Sequence, residues 1–254
     1  MIVKLDHDYY GKNRRLHIHL PEEYDRSDAR YPVMYFFDGH NLFEDSEATY
    51  GKCWGLETFL NSWDLPMILV GMECGHEGDE RLSEYLPYPA MRGMFSRFEP
   101  RGEMTMDWLL HDVKPMVDST WRTIPFREQT GVGGSSMGGL MALYAVVHHN
   151  RWFSKAACVS TASGFCQPRI MLDMRASTID PDTRVFLSWG TREAKGAPQD
   201  TIDTVSYTYR RNKAVANKLL ERGAQPYLWC QVGGGHCEAD WEELVPHFMR
   251  LLWK

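Results

Sequence analysis

Ser136 stands in the run Gly133-Gly134-Ser135-Ser136-Met137-Gly138-Gly139, where Gly134, Ser136 and Gly138 form a G-x-S-x-G pattern. A serine hydroxyl is a weak nucleophile until a turn exposes it and a neighbouring base takes its proton. The pattern follows a short strand-like run, Thr130 to Gly133, and opens a helix expected from about Met137. That is the strand–turn–helix setting such a serine needs, and glycines two residues either side let strand and helix pass closely. Ser135 has Met137 two residues on, not glycine, so Ser136 is the expected nucleophile. The competing readings are a glycine-rich turn with a serine cap, or a phosphate loop. The second lacks a lysine after the glycines and any G-x-G-x-x-G.

A serine nucleophile needs a histidine base, and the base needs a carboxylate to orient it. In a strand–turn–helix setting the chain order is serine, acid, histidine. Of the ten histidines, only His236 and His247 lie far enough downstream. His236 follows Val232-Gly233-Gly234-Gly235 just before a final helix, whereas His247 falls within that helix. Helix-capping is the alternative role for His236. The acid candidates are Asp173, Asp180, Asp182, Glu193, Asp200, Asp203 and Glu221. Asp180 and Asp182 precede the run Arg184 to Trp189 and so lie at its wrong end. Glu193 follows that run in Gly190-Thr191-Arg192-Glu193 and is the expected acid, with Asp200 or Asp203 as alternatives. Acyl transfer also needs two N–H donors for an oxyanion. Met137, next after the nucleophile, supplies one. His40, in the Asp38-Gly39-His40-Asn41 loop after Val33 to Phe37, supplies the other, with Gly39 permitting the turn.

These residues need elements to hold them. Short apolar runs are expected strands: Leu16 to Leu20, Val33 to Phe37, Met67 to Val70, Thr130 to Gly133, Ala156 to Val159, Arg184 to Trp189 and Tyr227 to Val232. Helical stripes alternate with them. One comprises Met106, Leu109, Leu110, Val113 and Val117, with Pro115 as a kink or restart. Others are Leu140, Leu143, Tyr144 and Val147, then Tyr209, Ala216, Leu219 and Leu220 with Gly223 as C-cap. The last is Trp241, Leu244, Val245, Phe248 and Leu252. This alternation predicts an α/β fold with a mostly parallel central sheet and helices on both faces. Active residues then belong at the carboxyl ends of strands.

The 254 residues are 43% hydrophobic, too apolar for a disordered chain, and show no linker or repeat, so one domain over 1–254 is expected. With 28 basic and 34 acidic side chains the chain lacks the basic footprint of a nucleic-acid binder. No signal-like N-terminus or membrane-length run is present, which predicts a cytoplasmic protein without membrane partners. The six cysteines include no CxxC pair and read as reduced thiols. His236 and Cys237 lack partners at ligand spacing, so neither metal nor cofactor is expected.

The sequence resembles the putative-esterase, or esterase-D-like, branch of the α/β-hydrolases, from about Tyr31 to the C-terminus. That branch includes feruloyl and acetylxylan esterases, siderophore esterases, S-formylglutathione hydrolases and mycolyltransferases. The resemblance rests on Tyr31-Pro-Val-Met-Tyr-Phe-Phe-Asp-Gly39, Val70-Gly71-Met72-Glu73, and Arg81 with Glu84-Tyr85-Leu86-Pro87. It continues through Trp189-Gly190-Thr191-Arg192-Glu193 and Gly234-Gly235-His236-Cys237-Glu238 with Trp241. It implies an α/β-hydrolase fold, a Ser136–His236–Glu193 triad and oxyanion donors at His40 and Met137. Some siderophore esterases of the branch lack the third carboxylate.

The expected activity is carboxylic-ester hydrolysis through an acyl-enzyme, on a small-molecule or carbohydrate-linked ester. An acyltransferase or thioesterase would use the same residues, and a silent hydrolase fold used for binding is the reading from another class. Aromatic side chains in 74–107 and the stretch 163–181 are expected to wall the site. Trp54 and Tyr85 are expected to bind substrate. A homo-oligomer is left open.

Overall fold

The computed structural model describes residues 1–90 and 93–254. Its strands are β1 (Ile2–Tyr9), β2 (Lys12–His19), β3 (Val33–Phe37), β4 (Ile68–Met72), β5 (Thr130–Ser135), β6 (Lys155–Val159), β7 (Arg184–Gly190) and β8 (Gln225–Gln231). Together they form one sheet in the order β1-β2-β4-β3-β5-β6-β7-β8. Only the pairs β1/β2 and β2/β4 are antiparallel; every other neighbouring pair is parallel.

Strand β3 shows why the runs are continuously apolar. Val33, Tyr35 and Phe37 pack into one buried cluster, while Met34 and Phe36 pack into another on the opposite face. Successive side chains point to opposite faces, so a strand covered on both sides has no polar position to spare.

The helices are α1 (Leu56–Ser62), α2 (Glu80–Glu84), α3 (Gly102–Trp108), α4 (Lys114–Thr120), α5 (Met137–His148), α6 (Gln167–Ala176), α7 (Tyr207–Glu221) and α8 (Glu238–Trp253). Leu56 of α1 and Phe248 of α8 belong to the cluster holding Phe36, whereas α5, α6 and α7 serve the cluster holding Tyr35. Gly223, at φ 90°, closes α7 as a left-handed cap.

Helices α1, α2 and α6 lie outside the sequence expectation. Strand β1 was not anticipated, although Val3, Leu5 and Tyr9 alternate and all pack against the larger cluster. Its intervening charges mask a half-exposed edge strand. Of the kink or restart expected at Pro115 the structure has the restart: a π-helical turn over Leu109–Val113 gives way to α4, which begins with the proline in its first turn. A proline has no N–H for the preceding turn, and the wider turn absorbs the lost bond.

Candidate active site

The elbow lies between β5 and α5, where Ser136 adopts φ 55° and ψ −114°. Positive φ in a serine costs on the order of 1–3 kcal/mol and persists only where the surroundings hold it. Here the Ser136 N–H donates to the Val159 carbonyl at 3.0 Å, and its own carbonyl accepts from Leu140 and Ala162. Gly134 and Gly138 are required by proximity: a Cβ on Gly134 would lie 2.7 Å from the Gly138 carbonyl carbon. The first-turn N–H groups of α5, Met137 included, have no acceptor within the helix.

His236 projects from the loop between β8 and α8 and is part-exposed. Its Nδ1 and Glu193 Oε2 are 2.5 Å apart. Glu193 follows β7, and its other oxygen accepts from Ser160 Oγ at 2.6 Å and from the Gly190 N–H at 2.7 Å. The Ser160 oxygen in turn accepts from Trp241 Nε1 at 3.0 Å. Both carboxylate oxygens are thus engaged, and a proton on His236 Nδ1 leaves Nε2 with its lone pair. Ser160 was not singled out from the sequence. Its place at the carboxyl end of β6 was the available signal, and its φ of 44° marks it as a second strained residue there.

The loop after β3 is built differently from expectation. Asp38, not Gly39, takes the left-handed conformation, at φ 61°. Gly39 is needed for close approach, since a Cβ there would come within 2.5 Å of the Gly71 carbonyl carbon on β4. Arg81 holds Asp38 with two hydrogen bonds of 2.7 Å each, and the Asp38 N–H donates to Tyr85 Oη at 3.1 Å. Burial would raise the Asp38 carboxyl, but the Arg81 charge and hydrogen bonds outweigh it and hold the group below its usual range. The result is a fixed His40 in the first turn of a short 3-10 segment, Gly39–Asn41.

Two cavities meet at His236. One, of about 360 Å³, is bordered by Ser136, His236, His40, Asn41, Arg81 and Glu238, among others. The second, of about 290 Å³, is bordered by His236 and Glu193 and runs past Phe95, Phe165, Trp189 and Arg211. The segments 74–107 and 163–181 therefore each contribute wall residues; Met91 and Arg92 within the first lie outside the described residues.

Trp54 and Tyr85 border neither cavity. Trp54 is buried against Phe36, Trp241 and Phe248, so it is core beneath the His236 loop. Tyr85 is buried beneath the Asp38 loop and acts on its backbone. Their aromatic rings gain more from the two packed faces than from a cleft.

The other acids lie elsewhere. Asp203 is wholly buried and accepts from Trp189 Nε1, the Val205 and Ser206 N–H groups and the Ser206 hydroxyl, at the start of α7. Asp200 is exposed. Arg127 pairs with Asp180 and Asp182. His247 stacks on Trp229. No disulfide joins the six cysteines. Among the described residues one group, His40, Glu73 and His76, has donor atoms within 4.8 Å of one another as a metal would require. His236 and Cys237 are not part of it.

No helix of the described residues is long and apolar enough to cross a membrane. The family described as "putative esterase" matches residues 8–251. The uncharacterized protein YbbA of Bacillus subtilis (strain 168) is 26% identical over 220 residues, covering 85% of this chain and 82% of YbbA. An IroE-like serine hydrolase from Shewanella oneidensis is similar in fold, with a TM-score of 0.75 and 19% identity over 99% of this chain and 79% of its own. The enterobactin esterase FES from Shigella flexneri gives a TM-score of 0.71 at 18% identity, over all of this chain but 58% of its own. The likeness in structure is that of the α/β-hydrolase fold, and the match along nearly the whole sequence makes this chain a hydrolase belonging to the putative-esterase family.

Proposed function

We propose that this chain hydrolyses carboxylic esters through an acyl-enzyme on Ser136, with His236 as base and Glu193 as its orienting carboxylate. The observation that carries the reading is that His236, held at Nδ1 by Glu193, borders the same cavity as the strained Ser136. His236 Nε2 takes the Ser136 proton as Oγ attacks the ester carbonyl carbon. The Met137 and His40 N–H groups receive the resulting oxyanion. Collapse breaks the bond to the alkoxide, which leaves with the proton from His236. Water then attacks the acyl-enzyme with the same base, releasing the acid and restoring Ser136.

Glu193 suits this role because its second oxygen is already pinned by Ser160 and Gly190, so the carboxylate cannot swing away from the imidazole. The cavities meeting at His236 fit a small ester better than a polymer chain.

Intact-mass measurement after fluorophosphonate treatment tests the nucleophile. One adduct on the wild-type chain and none on Ser136→Ala is expected, with loss of p-nitrophenyl acetate turnover. An adduct retained in folded Ser136→Ala would move the nucleophile elsewhere.

A further inference from the structure

The second cavity contains a cation with no carboxylate to balance it. Arg211 lies on α7, partly buried, and borders the cavity together with His236 and Glu193. One guanidinium N–H donates to Ser163 Oγ at 3.0 Å, and the group lies 5.4 Å from the centre of the Tyr207 ring. Its Nε is buried without any partner, as is Thr161 Oγ1 on the same cavity. Among the described residues no acid forms an ion pair with it. Glu193, the one carboxylate on this cavity, is committed to His236, Ser160 and Gly190. A desolvated guanidinium without a counter-charge is an unfavourable arrangement, and it becomes favourable when a ligand supplies the anion.

The rest of the cavity tells what carries that anion. Phe95 and Phe165 are 4.4 Å apart between ring centres and inclined by 30°, forming an apolar wall. Asn212 adds a polar side chain beside Arg211. The cavity includes His236 but not Ser136. In ester cleavage the group that takes its proton from the histidine is the departing alcohol.

We propose that Arg211 is a substrate-binding residue that anchors an anionic group, a carboxylate, on the alcohol half of the ester, with the flat part of that alcohol against Phe95 and Phe165. This rests on the esterase reading above and adds a substrate class to it: esters of hydroxy acids with an aromatic or similarly flat body.

The test compares 4-acetoxybenzoate with its neutral methyl ester. In Arg211→Gln the acid-to-neutral ratio of kcat/KM should fall by about tenfold or more, the worth of a charge-assisted pair. Turnover of the neutral ester should fall less than that of the acid, and Arg211→Lys should restore part of the ratio. An unchanged ratio in Arg211→Gln, or equal loss on both esters in a folded variant, overturns the proposal.

Binding of the product, 4-hydroxybenzoate, by calorimetry separates this from the reaction itself. If neither ester is cleaved, the esterase reading fails. The binding result then decides about Arg211: weaker binding to Arg211→Gln than to wild type supports the anion site, and equal or absent binding removes it.

Discussion

Glu193 makes more contacts than an orienting acid needs, and those contacts separate it from every other carboxylate near β7. Removing the Ser160 hydroxyl takes a donor from Glu193 and leaves Trp241 Nε1 buried without an acceptor. Ser160→Ala should therefore cost about 1–3 kcal/mol of stability. It should also lower kcat about tenfold with KM within about twofold, because the carboxylate is less well aimed. Glu193→Gln should lower kcat by about 10³, since an amide no longer stabilises the imidazolium. Asp203→Asn is the contrasting case. It removes a buried carboxylate that ties Trp189 to the start of α7, so urea denaturation should show the loss while kcat on p-nitrophenyl acetate stays within about twofold. A larger kcat loss in Asp203→Asn than in Glu193→Gln would reassign the acid.

At the scale of elements, the sheet's parallel order places the ends of β3, β5, β6 and β7 on one edge, and Asp38, Ser136, Ser160 and Glu193 all emerge there. The β3 loop is the most tightly specified of these. Its backbone touches that of β4 at Gly39 and Gly71, leaving no room for a side chain. Gly39→Ala should lower stability by about 1–3 kcal/mol through overpacking. It should also reduce kcat, because the His40 N–H moves with the loop. Thermal unfolding and steady-state rates on one preparation check both effects. A variant with unchanged kcat and a lower Tm would detach His40 from the reaction. Arg81 and Tyr85 serve the same loop from α2 and its C-terminal edge, so a part-buried ion pair and a buried phenol act through main-chain position.

For the molecule as a whole, the antiparallel end of the sheet brings a pH dependence remote from the site. His19, on β2, is buried; that burial, helped by the N-terminal ammonium, pushes its imidazole down to about 4 from an ordinary 6.5. The folded-state value is the lower one, so the unfolded chain binds the proton more readily. The neutral imidazole is accommodated in full above pH 6.5, and stability falls as pH drops from 6.5 towards 4. The loss attached to this group is about 3 kcal/mol. Urea midpoints between pH 7 and pH 4 should fall more steeply for the wild type than for His19→Gln. Parallel curves would mean that His19 is protonated without cost in the folded chain.

Much of this protein was legible in order and spacing alone. Continuous apolar runs name strands covered on both faces, and helical stripes name what covers them, because burial is dictated locally by side-chain chemistry. The elbow was legible because a serine flanked by glycines at two-residue spacing meets a steric demand internal to a few residues. That Glu193 and His236 meet could be expected because a parallel sheet sends chain ends to one edge, so position after a strand already says which side a residue is on.

The tertiary structure decided whatever depends on distant segments meeting. Ser160, Glu193 and Trp241 are joined by hydrogen bonds across 33 and 81 residues of sequence, with no spacing to betray them. Gly39 looked like a turn glycine until β4 was laid beside it. Trp54 and Tyr85, as aromatics near the loop, could equally line a cleft or fill a core; packing against Trp241 and beneath Asp38 settled both as interior. The solitary charge of Arg211 is likewise a tertiary fact. The sequence supplies 34 acidic residues, and only folding shows that, among the described residues, none of them reaches it.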